Sequence, residues 1–233
     1  MRTQSHVVLV GIVAALLLLA ISPLVSAQRS EQARVEDAAT VFTEIMQAPD
    51  GGIPQGVLQK AEAVVIFPGV LRASFAVGGQ WGRGVISARD RKTNTWSAPA
   101  FITIAGGSFG AQVGAQSIDL VLIVIDRVGL QRLLSNEFKI GGEASVAAGP
   151  VGRSLEAATD IQMRAKILSY SRSRGLFAGV AINGSNLGAD RDANERFYGE
   201  RLGSREVIDQ LSSKPDLPAS VARLRKVLAD YGG

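Results

Sequence analysis

Fourteen of the chain's 26 glycines fall between Gly69 and Gly152, in the stretch whose apolar patterning otherwise predicts strands. Pairs recur at Gly78-Gly79, Gly106-Gly107 and Gly141-Gly142. Glycine has no side chain to pack and loses the most backbone freedom on folding, so it weakens a strand. Bulges, sharp bends and close backbone approach are the usual causes of such a density. A strongly curved, barrel-like sheet uses all three. The pattern predicts one α+β domain over residues 28–233. Its sheet is glycine-rich and mostly antiparallel, with a leading amphipathic helix and a C-terminal helix.

Residues 30–47 predict the leading helix. Val35, Ala38, Ala39, Phe42, Ile45 and Met46 recur at helical spacing, Ser30 is placed to cap it, and Pro49-Asp50-Gly51-Gly52 ends it. Arg34, Glu36, Asp37 and Glu44 occupy the other side. Such a helix either packs on the core or lies on a membrane surface, and its mostly acidic polar face argues against strong binding to anionic lipid. A short helix is expected to run to Lys60. Residues 64–67 read as a short strand stopped by Pro68-Gly69, followed by strands at 71–77, 84–88 and 95–104. The run LVLIVI at 120–125 is too continuous for a half-exposed strand and predicts one covered on both faces. Residues 127–136 predict a helix with Val128, Leu133 and Leu134 inward. Strands are expected at 166–171 and 176–182, a tight turn at Asn183-Gly184, and a final helix burying Val221, Leu224, Val227, Leu228 and Tyr231.

The first 27 residues predict a cleaved export signal. Arg2 is followed by no further charge until Arg29, residues 7–21 are apolar, and Val25-Ser26-Ala27 offers small residues before a cut at Gln28. The apolar run is short for a membrane span, which needs about 20 residues. No Cys follows it, so a lipoprotein is not expected. The expected location is periplasmic or secreted.

The chain has no Cys, and its one His is His6, inside that signal. This removes thiolate zinc sites, Cys nucleophiles and His-based triads from the mature chain. Gly106-Gly107-Ser108-Phe109-Gly110 matches the nucleophile-elbow pattern GxSxG, but the base that must take the serine proton is missing. Asp190, Asp192 and Asn194 are spaced like the first ligands of a calcium loop. The sixth position is Glu195 and the twelfth Arg201, so helix capping is expected instead. Asp119 and Asp126 flank the most buried strand and read as strand-end residues with local partners. No GxGxxG or phosphate-binding loop occurs, so neither nucleotide nor cofactor is expected. Residues 28–233 carry 24 Lys+Arg against 21 Asp+Glu. That mild balance suits anionic surfaces such as phospholipid headgroups and is too weak for nucleic acid.

Six blocks then follow in order: AEAVVIFPGV (61–70), GRGVISARD (82–90), WSAPAFITIAGGSFGAQVGAQSIDLVLIV (96–124), KIGGEASVAAGPVGR (139–153), SYSRSRGLFAGVAINGSNL (169–187) and ERFYG (195–199). Together they resemble the SYLF domain, also called the Ysc84-type actin-binding domain, over about residues 36–200. The resemblance implies lipid binding through basic residues and an amphipathic N-terminal segment, and it supplies no catalytic or metal-binding residues. On that analogy the lipid-contact candidates are Arg29, Arg34, Phe42 and Lys60, with Phe42 placed either for insertion or in the core. The implied function is an exported, non-enzymatic module contacting envelope phospholipid reversibly. The competing reading is a structural envelope protein that acts through a protein partner.

Overall fold

The computed structural model describes residues 31–48, 52–75, 77–108, 114–135, 137–141, 145–151, 165–173, 176–179, 182, 184–214 and 216–232. Glu31–Gly233 form one compact unit. Two helices lead, α1 (Glu31–Met46) and α2 (Gln55–Lys60). Then come β1 (Ala63–Phe75), β2 (Val77–Asp90), β3 (Thr95–Trp96), β4 (Ala100–Ser108) and β5 (Gly114–Val124). They are followed by α3 (Arg127–Leu133), β6 (Glu137–Lys139), β7 (Val146–Ala148), β8 (Ile167–Ser173), β9 (Leu176–Gly179) and β10 (Ser185–Ala189). Three helices close the chain: α4 (Arg191–Tyr198), α5 (Ser204–Leu211) and α6 (Ala219–Gly232).

The strands form one sheet in the order β6-β10-β4-β2-β1-β5-β8-β7, with β3 on β2 and β9 on β8. The β7–β8 pairing is parallel and the others are antiparallel. The sheet curls into a half-barrel and separates two cores. Val64 and Ile66 of β1, Val121 and Ile123 of β5, and Phe101 of β4 pack with Val35, Phe42 and Ile45 of α1 and Leu224 and Leu228 of α6. This is the α1 face. Their strand neighbours Val65, Phe67, Leu120, Leu122, Ile102 and Ile104 pack with Leu130 and Leu133 of α3 and Val207 and Leu211 of α5. This is the α5 face. The run at 120–125 thus lies within a central strand buried on both sides, as its continuity predicts.

Curvature accounts for several of the glycines. Gly82, Gly84 and Gly106 lie on the α5 face. A Cβ on Gly84 would sit 2.3 Å from the Ile66 carbonyl oxygen, and one on Gly106 would sit 2.7 Å from Ser185 Cα. At these positions the neighbouring strands leave no room for a side chain. Gly79 and Gly107, paired directly on the α1 face, meet nothing closer than 3.8 Å. Packing there does not require glycine.

Several expected boundaries are corrected. Pro68-Gly69 does not stop a strand. It sits in a register shift within a continuous β1, where Gly69 has φ +70° and its N–H donates to Asp119 Oδ1 at 3.0 Å. The stretch between the expected strands 71–77 and 84–88 is likewise strand, so β2 is continuous. The expected strand at 95–104 breaks at Ser97, whose hydroxyl accepts from Ala88 N at 2.9 Å, and restarts as β4. Val128 points outward and is 46% exposed. Helix α5 and strands β6, β7 and β10 were not expected, because each is too short to show a period. The Ser30 cap and Asn183 lie outside the described residues.

Candidate functional site

Register alignment across six strands defines the site. Lys139 of β6 pairs with Asn186 of β10, Asn186 with Ala105 of β4, Ala105 with Trp81 of β2, Trp81 with Leu71 of β1, and Leu71 with Ser117 of β5. Cross-strand partners point to one face, so these six side chains form a row on the α1 face. All six are exposed. At about 4.8 Å per strand, the row is about 24 Å wide. Helix α1 covers the same face further along the strands, over Val64, Ile66, Val85 and Phe101. Beyond it the described residues of the row are exposed.

Two large apolar side chains stand side by side in the row. Leu71 is 57% exposed and Trp81 is 47% exposed. Arg83, two residues along β2, holds its guanidinium 5.1 Å from the Trp81 ring centroid. That is a cation–π arrangement. The next row outward consists of Ala73, Gly79, Gly107 and Ala115, all of them exposed. The result is a flat surface of small residues around one aromatic anchor. From Ala63 to Ile118 the sequence holds a single acid, Asp90, against Arg72, Arg83, Arg89, Arg91 and Lys92. This scarcity of acids was therefore a signal open to sequence reading, although the exposure of Trp81 was not.

The acids flanking the site have structural work. Asp119 receives Gly69 N on one oxygen and Arg172 on the other, at 2.9 Å. Asp126 caps α3 by accepting from Gly129 N at 2.6 Å, and Asp190 caps α4 by accepting from Ala193 N at 3.1 Å. These are the local partners and the capping role expected of them. A cleft of about 700 Å³ lies at the other end of β2, where Lys92, Arg127, Arg205 and Asp209 line it.

The residues expected from the leading helices are not brought together. Arg34 is 5% exposed. Its Nη1 donates to Asp190 Oδ2 at 3.2 Å, and its guanidinium covers the Phe101 ring at 5.1 Å. Burial lowers its pKa, while Asp190 pulls the other way. A guanidinium committed to Asp190 under a helix is not presented to a surface. Phe42 is 1% exposed and takes the core alternative, edge-on to Tyr231 with ring centroids 6.3 Å apart. Lys60 is exposed at the end of α2. It sits near the start of β1, about 25 Å along that strand from Leu71. Arg29 lies outside the described residues. Among the described residues, no helix is long and apolar enough to cross a membrane.

Comparison with known proteins shows the family of the chain. The family model described as "Ysc84: Las17-binding protein actin regulator" matches residues 105–231, over half of the chain. "Protein YSC84" of Saccharomyces cerevisiae is 36% identical over 210 residues, covering 86% of this chain and 43% of that protein. "LAS seventeen-binding protein 3" of the same species is 36% identical over 210 residues, covering 86% and 44%. "SH3 domain-containing YSC84-like protein 1" of Homo sapiens is 35% identical over 213 residues, covering 90% and 61%. The chain spans about half the length of the curated relatives it matches. With the family model and these relatives in agreement, the chain belongs to the Ysc84 family, whose members are also called SYLF proteins.

Proposed function

We propose that this chain is a non-enzymatic module that binds phospholipid membranes reversibly through the exposed row on its α1 face. The observation that carries the reading is the exposed Leu71–Trp81 pair at the centre of a six-strand row, in a stretch of sequence from Ala63 to Ile118 that holds one acid. Tryptophan suits the membrane interface because its ring is apolar and its N–H still finds water. Arg83 adds one positive charge beside the ring, worth about 1 kcal/mol against an anionic surface. Two apolar anchors and a few cations give weak, salt-sensitive and reversible contact. The export signal read in residues 1–27 belongs to the same proposal and makes envelope phospholipid the natural ligand.

Tryptophan fluorescence tests the reading directly. The chain has two tryptophans, and Trp96 is only 4% exposed. Phosphatidylglycerol vesicles should shift Trp81 emission to the blue and protect it from acrylamide, both in the full chain and in Trp96→Phe. The shift should shrink at high salt. Emission unchanged by vesicles at low salt rules the reading out.

A second reading is a protein-docking role for the same face. It is favoured by the printed names of the relatives, which include "Las17-binding" and "SH3 domain-containing". A stable oligomer by light scattering, with no vesicle affinity, would select it.

A further inference from the structure

On the α5 face, behind the exposed row, one guanidinium is anchored but unmatched. Arg72 is half-buried. Its Nε donates to Gln80 Oε1 at 2.9 Å. Gln80 is 7% exposed, and its amide nitrogen donates to the Ser185 hydroxyl, which is fully buried. Arg72 Nε can only donate, so it takes the amide oxygen and leaves the amide nitrogen for Ser185. Among the described residues, no carboxylate lies within ion-pair distance of Arg72, and its two Nη groups make no hydrogen bond.

Three other inward-facing arginines are treated differently, while Arg225, which donates to the Ser212 carbonyl, also lacks a carboxylate among the described residues. Arg34 has Asp190. Arg172 has Asp119 and Glu44. Arg89 gives its hydrogen bonds to Asn94 and to the carbonyls of Leu58, Gln59 and Gly232. Arg72 is half-buried, and its Nη groups still reach solvent. Burial alone lowers the pKa of Arg72. A neighbouring position adds a donor. In register beside Arg72 stand Gln80 and the exposed Gln116, followed by Gly106 across β2. Gly78 stands two residues from Gln80 on the same face.

We infer that Arg72, oriented by Gln80 and Ser185 and flanked by Gln116, forms an oxyanion site that takes a phosphoryl group in the open end of the half-barrel. The free Nη pair presents two parallel N–H donors, the geometry that grips phosphate oxygens two at a time. Gln116 supplies a further donor from β5. The inference does not require membrane contact, because the phosphoryl group can come from a lipid headgroup or from a free phosphate compound.

The experiment uses the full chain and Arg72→Met. Thermal unfolding is followed in sodium chloride and in inorganic phosphate at matched ionic strength, and vesicle binding is measured with phosphatidylglycerol. Without phosphate, Arg72→Met should unfold somewhat below the wild-type temperature, since it takes the donor from Gln80 Oε1 on a buried residue. Phosphate should raise the wild-type midpoint more than that of Arg72→Met, with Arg72→Lys in between. A site that accepts phosphate only as part of a lipid gives no such difference in solution. It instead gives at least tenfold weaker vesicle binding for Arg72→Met. Equal responses of wild type and Arg72→Met in both arms overturn the inference. A phosphate effect that depends on Arg72, with no vesicle binding by the wild type, leaves this site standing and removes the membrane reading.

Discussion

Gly149 faces the ring of Tyr170 so closely that a Cβ on it would lie 2.0 Å from Tyr170 Cζ. The ring cannot retreat. It is fully buried and stacked on Phe177, with centroids 5.6 Å apart and planes 5° from parallel. Gly149→Ala therefore overpacks a rigid site. It should cost at least about 2 kcal/mol, read as a lower urea midpoint at unchanged slope.

Two glycines separate curvature from surface. Gly84→Ala drives a methyl group into the Ile66 carbonyl and should destabilise by about 2–3 kcal/mol. Gly79→Ala meets ordinary contact distances on the α1 face and should fall within about 0.5 kcal/mol of wild type. Thermal or urea unfolding of the pair checks both. Equal costs would mean that the sheet's curl does not depend on the empty positions of the α5 face.

Vesicle binding and stability should respond to different residues. Trp81→Ala, with 47% of the residue exposed, should leave stability within about 1 kcal/mol of wild type and weaken vesicle binding about tenfold. Phe42→Ala, at 1% exposure, should do the reverse. It costs about 3–5 kcal/mol of stability but leaves binding intact wherever the variant is still folded. Co-sedimentation beside urea melts separates the two.

Acid should weaken the contact between α1 and α4. Burial alone would raise the Glu31 pKa, but its hydrogen bond from Arg196 at 2.8 Å and the charge of Arg34 outweigh that. The net shift is below its ordinary value of 4.5. A carboxyl depressed by folding stabilises the fold above its unfolded pKa, and that contribution is lost as pH falls through the folded one. The stability gap between wild type and Glu31→Gln should be present at neutral pH and close as pH falls below about 4.5. A gap unchanged between pH 7 and pH 3 would show that the pair contributes nothing.

Local regularities were legible where one element explains itself. The spacing of Val35, Ala38, Phe42 and Ile45 marks α1 within a residue of its observed ends. The unbroken run at 120–125 marks a strand buried on both faces. Asp190 followed by Ala193 and Asn194 marks a cap. Strand limits were less legible around Pro68-Gly69, because a bulge and a turn use the same residues and differ only in what pairs across from them. Asp119, on the neighbouring strand, is what receives the Gly69 N–H.

The lipid candidates show where sequence reading stops. Arg34 looks like a surface cation on a helix wheel, and the structure buries it. Trp81, which lay between two expected strands, is exposed. Asp190 and Phe101 reach Arg34 from more than 60 residues away, and α1 ends its cover of the sheet before it reaches Trp81. The sequence by itself determined the element types, the need for a curled sheet and the lack of imidazole or thiol chemistry in the described residues. Those follow from periodicity, glycine content and composition, which are local or additive. Only the tertiary structure decided that Trp81 is exposed and that Arg72, among the described residues, has no carboxylate partner. Exposure and pairing depend on what the rest of the chain lays over a residue.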